Sequence, residues 1–181
     1  VSDLIGLAVD PANAKTLGEL RSLSSELQQK GVRAALKAGA KPLQIAMKAA
    51  APDDKKTAGS RLAKAINTTQ AKTGQGVMTG LGGRNVSVGP DEVAVIVGPN
   101  KKVDGRRETG IAWMLEVGTK AHKISAKNNV LVIGKNFLSG DINHPGIRAR
   151  NWMANSFIAA STQVEGQFYQ GLEKWMDKHG R

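Results

Sequence analysis

The spacing of apolar residues changes along the chain from a helical period to an extended one and back. Near the end, apolar side chains recur every three or four residues for about six turns, which predicts a long amphipathic helix over residues 152–179. Its stripe consists of Met153, Phe157, Ala160, Val164, Phe168, Leu172 and Trp175. The middle of the chain instead contains β-branched runs bounded by Gly and Pro, such as Val93–Val97. This order predicts an α+β fold.

Two helices are expected in the first third of the chain. Residues 16–19 have the spacing of a capping box, so a first helix should begin near Leu17. A second, longer helix is expected over residues 32–50, where apolar positions recur at helical spacing. Pro42 lies inside that pattern and removes a backbone donor, so we expect a kink or a break near Gly39.

A glycine-rich stretch follows at residues 68–84. It holds Gly74, Gly76, Gly80, Gly82 and Gly83 and has few apolar side chains to bury. Such a composition predicts a flexible arm, either a mobile loop or a long hairpin, that orders only on assembly. The polar stretch 101–109 is likewise expected to be a charged loop.

The next segments read as short strands around one short helix. Val86–Val88 and Val93–Val97 are expected to form an antiparallel pair. Residues 111–117 form a compact apolar stretch, which predicts a short helix ended by Gly118.

Two further strands are expected at residues 121–124 and 130–133, with a turn at residues 127–129. Residues 136–150 have no clear period and are expected to be irregular. The sequence therefore predicts one domain over residues 1–181, with a small antiparallel sheet flanked by helices.

The charge of the chain favours anionic partners. Lys and Arg outnumber Asp and Glu by 26 to 15, and the formal net charge is +11. Nucleic acid, an acidic protein surface and a membrane would each satisfy such a charge, and so would a merely solvated basic surface. No apolar run approaches the ~20 residues that span a bilayer. The absence of Cys fits a reducing cytosol, and residues 1–10 lack the basic start of a signal peptide.

The residues that could carry catalysis or bind a metal form no recognised motif. A metal site from His122, His144, Glu116 and Asp141 is conceivable, but no His pair has the zincin spacing. Ser125 and Ser139 lie near these histidines in sequence only, and no Gly-x-Ser-x-Gly is present. The glycines of the arm also lack the order of a phosphate-binding loop. We therefore expect no enzymatic activity, no cofactor and no metal.

Nucleic-acid binding is the strongest alternative that the residues alone support. The charge favours it, but no zinc knuckle and no aromatic-basic strand for base stacking is present. Trp113, Trp152 and Trp175 all lie at apolar helical positions, where core packing is the ordinary role.

An ordered set of short motifs goes further. The set comprises Ala49-Ala-Ala-Pro52, Thr57-Ala-Gly59, Val95-Ile-Val-Gly-Pro99, Glu116-Val-Gly-Thr119, His144-Pro-Gly146 and Arg150-Asn-Trp-Met-Ala154. Over residues 32–160 this order resembles the gene-product-ten-like family of long-tailed phages, whose members are described as minor tail, tail-completion or head-tail joining proteins.

The resemblance implies structural roles for particular residues. The motif residues are Glu116, Gly118, Thr119, His144, Pro145, Gly146 and Trp152. Glu116 would accept from backbone donors or pair with Arg148 or Arg150, while Trp113, Met114 and Trp152 would pack the last helix on the sheet. Candidate interface residues are Arg84, Lys101, Lys102, Arg106, Arg107, Phe168 and Trp175.

The resemblance also implies a place in the virion. The protein would form a ring, expected to be a hexamer, between the head-closure (connector) protein and the tail tube or tail terminator. It would complete the tail and support joining to the DNA-filled head, near the genome end in the channel. Host cytoplasm would be its location during assembly. The alternatives are a basic nucleic-acid-binding protein without a ring, or a hydrolase or metal enzyme centred on His122 and His144.

Overall fold

The computed structural model of the chain describes residues 11–52, 61–72, 74, 76–78, 85–90, 92–125, 130–133 and 136–179. The helices are α1 (Pro11–Arg21), α2 (Ser25–Ala50), α3 (Arg61–Ala65), α4 (Thr109–Val117) and α5 (Trp152–His179). The strands are β1 (Asn67–Gln70), β2 (Gly76–Met78), β3 (Asn85–Ser87), β4 (Val95–Gly98), β5 (Lys102–Val103), β6 (Arg106–Arg107), β7 (His122–Ile124), β8 (Val130–Ile133), β9 (Asn136–Ser139) and β10 (Ile142–His144).

The two long helices, α2 and α5, pack antiparallel along most of their length. Glycines permit the backbones to approach closely. A Cβ added at Gly171 of α5 would lie 2.6 Å from the Cβ of Ala38, and one added at Gly39 would lie 2.9 Å from the carbonyl oxygen of Val164. Neither position could hold a larger residue without moving the partner helix, so these glycines set the spacing of the pair.

The apolar core is divided between the two ends of this helix pair. The first group, which we call the α4 cluster, consists of Met47, Ala51, Leu62, Ile66, Ala112 and Trp152. The second, the α1 cluster, consists of Leu20, Ala35, Leu172 and Met176. Each end of the long helices is therefore held by its own set of buried side chains.

All strand pairs of the described residues are two-stranded antiparallel ladders. Strand β1 pairs with β4, from Asn67 opposite Gly98 to Gln70 opposite Val95. The other pairs are β2 with β3, β5 with β6, β7 with β10 and β8 with β9.

The last two ladders lie on one hairpin. His122 is opposite His144 in the first, and Val130 is opposite Ser139 in the second. Both pair the same two chain segments, and an isolated bridge between Thr119 and Ile147 continues them at the base. We call the described residues within 119–147 the long hairpin.

The predicted α+β class is confirmed, with helices, small antiparallel ladders and a long C-terminal helix over residues 152–179. The helix boundaries near the start differ from the prediction. The first helix ends at Arg21, and α2 begins at Ser25 rather than near residue 32 and runs through Pro42 without a break. Packing of α2 along α5 outweighs the roughly 3 kcal/mol that an internal proline costs a helix.

One predicted strand pairing is wrong. The pair predicted between Val86–Val88 and Val93–Val97 does not form, because β3 pairs with β2 and β4 pairs with β1. The segment 68–84, predicted as a mobile loop or a long hairpin, contains strand residues at 68–70 and 76–78, and β2 pairs with β3 just beyond it. Gly80, Gly82, Gly83 and Arg84 lie outside the described residues.

Two segments expected to lack regular structure also contain strands. Residues 136–150 include β9 and β10, and residues 101–109 include β5 and β6. The turn of the β5–β6 hairpin is Asp104-Gly105, with φ of 48° and 75°, which is the Asp-Gly signal of a tight hairpin. The turn expected at residues 127–129 lies outside the described residues. None of the helices within the described ranges has the length and apolar character needed to cross a bilayer.

Candidate functional site at the start of the last helix

Two motifs that are far apart in the sequence meet at the base of the long hairpin. The Thr119 N–H donates to the Ile147 carbonyl at 2.8 Å, and the Ile147 N–H donates to the Thr119 carbonyl at 3.1 Å. The Thr119 hydroxyl oxygen also accepts from the Ile147 N–H at 3.0 Å. These bonds join the segment that leaves α4 to the segment that enters α5. We call this region the junction, and it comprises residues 116–119, 144–147 and 150–154.

Both glycines of the junction are required by backbone conformation and by space. Gly118 has φ +75° and Gly146 has φ +87°, a region that side chains oppose. A Cβ at Gly118 would lie 2.7 Å from the Ala149 nitrogen. One at Gly146 would collide with the Thr119 carbonyl oxygen. The two motifs can therefore cross only where both carry glycine.

His144 stabilises the turn that leads into this crossing. Its Nδ1 accepts a hydrogen bond from the Gly146 N–H at 3.0 Å across Pro145. The His122 ring lies opposite on β7, with the ring centroids 5.0 Å apart.

Glu116 is a buried carboxylate that caps α5 from outside that helix. Its exposed fraction is 5 %. One carboxylate oxygen accepts from the Met153 N–H at 2.7 Å, and the other accepts from the Ala154 N–H at 3.1 Å. These N–H groups belong to the first turn, which has no intrahelical acceptors and carries the positive end of the helix dipole. Among the described contacts of Glu116, no ion pair with Arg148 or Arg150 is present.

Backbone bonds complete the attachment of α4 to the entry of α5. The Arg150 N–H donates to the Leu115 carbonyl at 2.9 Å, and the Asn151 N–H donates to the Glu116 carbonyl at 3.1 Å. Trp152 is buried, and its indole Nε1–H donates to the Ala112 carbonyl at 3.4 Å. The last turn of α4 therefore fixes the first turn of α5.

The packing predicted for Trp113 and Met114 is wrong. They are 38 % and 39 % exposed, because α4 turns the opposite face inward, the one that holds Glu108, Ala112 and Glu116. Trp152, by contrast, is buried and lies in the α4 cluster.

A second buried carboxylate at the other end of α4 was not identified from the sequence. Glu108 is 5 % exposed and pairs with Arg61 of α3, Nε to Oε1 at 3.1 Å. Arg61 also contacts Asp104 at 3.4 Å and donates to the Val103 carbonyl at 3.1 Å. This arginine ties α3 to the β5–β6 hairpin and to the start of α4. Its separation of 47 residues from Glu108 left no local signal in the sequence.

The residues considered for a metal site do not come together as a set. His122 and His144 are neighbours, but the Glu116 carboxylate faces α5 and Asp141 pairs with Lys123 at 2.7 Å. No group of three or more His, Asp or Glu side chains in the described part of the chain could hold a metal ion. An open groove of about 570 Å³ between α2 and α5 is lined by Lys41, Ile45, Gln163 and Gln167 among others. It contains no paired acid and base.

The candidate interface residues fall into two groups. Lys101, Lys102, Arg106 and Arg107 are exposed on and beside the β5–β6 hairpin. Phe168 and Trp175 are instead half-buried and pack against the α1 cluster. Arg84 lies outside the described residues.

The fold and the junction together define a small α+β protein whose signature residues hold structural elements to one another. The chain belongs to the HK97-gp10-like family, described as "Bacteriophage HK97-gp10, putative tail-component", whose profile matches residues 14–122. The match spans more than half of the 181 residues and includes Glu116-Val-Gly-Thr119. Comparisons with curated proteins and with solved structures give no match. The protein is therefore a structural component of a bacteriophage tail, and its location is the virion.

Proposed function

We propose that the protein is a subunit of a ring in the phage neck that completes the tail and joins it to the DNA-filled head. The ring is expected to be a hexamer of one-domain subunits. It lies between the head-closure (connector) protein on one side and the tail tube or tail terminator on the other. The subunit has no enzymatic activity and no cofactor.

This proposal rests on what the polar side chains of the junction bind. Glu116, Thr119 and His144 all bond to backbone groups of the same chain. In a hydrolase, such groups would instead face a cavity that admits a substrate. Here they fix the angle between the long hairpin and α5, which is what a subunit needs when its role is to present surfaces to neighbours.

Tail tubes that lack the protein provide the test. Purified protein is added to such tubes, and the tube ends are imaged by electron microscopy. A discrete ring at the head-proximal end is the expected result, and its symmetry gives the number of subunits. Bare tube ends at saturating protein would refute the proposal.

Nucleic-acid binding remains a second candidate because of the β5–β6 hairpin. Lys101, Lys102, Arg106 and Arg107 are exposed there, and none of them forms an ion pair with another described residue. If they contact DNA phosphates, the affinity of the isolated protein for DNA should fall steeply with salt. The Arg106→Ala, Arg107→Ala double variant should then flatten the slope by about two. A DNA affinity that does not depend on these residues would exclude them as a phosphate-binding site.

A further inference from the structure

Helix α4 exposes apolar side chains and buries charged ones, which is the reverse of an ordinary surface helix. Its outward side chains Ile111, Trp113, Met114 and Val117 are 49 %, 38 %, 39 % and 48 % exposed. Its inward side carries the carboxylates of Glu108 and Glu116, each 5 % exposed. We call the four outward residues the α4 apolar face.

Such a face marks a contact surface. Single exposed apolar side chains are ordinary, but a contiguous set on one helix is the pattern of an interaction site. The helix cannot rotate to bury its apolar side chains, because Glu116 is held by the first turn of α5 and Glu108 by Arg61. The apolar face is therefore fixed outward by the junction.

Basic residues lie at both ends of the α4 apolar face. Arg106 and Arg107 form β6 just before the helix. Lys120 follows Gly118 at the other end, and Arg150 is bonded through its backbone to Leu115. None of these four residues forms an ion pair within the described part of the chain. A fitting occupant would be apolar in its middle and carry carboxylates toward its ends.

One segment of this chain has that composition. Residues 1–10, Val-Ser-Asp-Leu-Ile-Gly-Leu-Ala-Val-Asp, hold six apolar side chains, two carboxylates at Asp3 and Asp10, and no Lys or Arg. This segment lies outside the described residues. Its net charge is opposite to that of the chain, which is +11.

The dimensions agree with this match. Helix α4 has nine residues and is about 13 Å long. Asp3 and Asp10 are separated by about 10 Å in a helical segment and by about 23 Å in an extended one. A helical segment brings one carboxylate toward each end of the α4 apolar face, and an extended one places them beyond its ends, toward the flanking basic residues.

The ring of the proposed function requires a contact that repeats from one copy to the next. Residues 1–10, which precede Pro11 at the start of α1, and the α4 apolar face are two different surfaces that can supply such a contact. A copy's own segment is the alternative occupant, and the experiment below separates the two.

We propose that residues 1–10 of one subunit cover the α4 apolar face of the next, with Asp3 and Asp10 beside the basic residues at its ends. Such a contact is heterologous and propagates around a closed ring. The inference rests on the ring of the proposed function and names the surfaces that close it.

The absence of Cys allows a direct test by disulfide formation. Full-length Ile5→Cys protein is mixed with full-length Met114→Cys protein under mild oxidation, both free in solution and on tail tubes. A covalent heterodimer is the expected product, and it can arise only between copies. The matched control replaces Met114→Cys with Ile158→Cys, because Ile158 is an exposed apolar residue on α5 at 65 %. The expected yield is several times that of the control.

Charge reversal separates docking from random collision. Adding Asp3→Lys and Asp10→Lys to the Ile5→Cys protein should lower the heterodimer yield about fivefold or more, since two ion pairs become repulsive contacts. Urea unfolding of each variant checks that the fold is retained.

Three outcomes would overturn the inference. The first is a yield no greater than that of the control in both samples. The second is a disulfide that forms only within one chain when both cysteines are placed on it. The third is a photo-cross-linker at residue 114 that captures DNA or another virion protein on tails. Electron microscopy of the same tails tests the two proposals separately. A ring without the cross-link refutes only this contact. The cross-link without a ring at the neck refutes only the neck position.

Discussion

Replacing Glu116 with Gln should destabilise the protein far more than an ordinary loss of one charge. The carboxylate is buried and accepts from the Met153 and Ala154 N–H groups at 2.7 and 3.1 Å. Gln keeps one acceptor oxygen but turns an NH₂ group toward the other backbone donor. One N–H at the start of α5 is then left without its acceptor in a partly buried site.

The magnitude follows from two losses. A hydrogen bond to a charged group contributes about 1.5–3 kcal/mol, and the unpaired donor adds to the cost. A negative charge at a partly buried helix N-terminus contributes up to about 2 kcal/mol. We expect the free energy of unfolding to fall by about 3 kcal/mol in total. For a chain of this size the melting temperature should fall by about 6–12 °C.

Urea unfolding measures the effect directly. The midpoint should fall by about 1–1.5 M, with the slope m unchanged because the same surface is exposed. Glu173→Gln makes the same chemical change at an exposed position of α5, the helix that Glu116 caps. It should shift stability by less than about 0.5 kcal/mol. Equal shifts for the two variants would refute the cap argument, whatever their common size.

Other variants test the close contacts. Gly146→Ala should cost about 3 kcal/mol or more in urea unfolding, whereas Gly140→Ala, with a similar φ of +83° but open space around it, should cost about 1. Gly171→Ala should destabilise the protein by about 1–3 kcal/mol because its Cβ meets α2. Gly166→Ala, in open space on the same helix, should stabilise it by about 0.5–1 kcal/mol. A change in unfolding free energy of the same sign for both variants would contradict the packing argument. Arg61→Met should cost about 3 kcal/mol in thermal unfolding by leaving a buried carboxylate unpaired, and a neutral result would show that water reaches that carboxylate.

Local patterns in the sequence are sufficient for some elements. The last helix is predicted over residues 152–179, since its apolar period continues for about six turns. The end of α4 at Gly118 can also be predicted from the local sequence, because glycine is the residue that most readily adopts the positive φ found there. Strand pairing was predicted less well. Strand β1 has the sequence Asn-Thr-Thr-Gln, with no apolar alternation, and its partner β4 lies more than 20 residues later.

The junction shows why a site is harder to predict than an element. The motif residues are recognisable by resemblance, but which N–H groups face Glu116 depends on the crossing of two segments 28 residues apart. The outward exposure of the apolar side of α4 also has no local signal in the sequence. Helical period places Trp113 and Met114 on an apolar face, and burial of Glu108 by the distant Arg61 decides that this face points outward.

The glycine contacts between α2 and α5 also have a mechanical consequence. Sliding one helix past the other by a turn, about 5.4 Å, would bring side chains against Gly39 and Gly171, where there is room for none. The pair therefore acts as a spacer of fixed length, about 42 Å for the 28 residues of α5. Force applied at the α1 end of the pair would therefore reach the junction with little loss to compression of the helices.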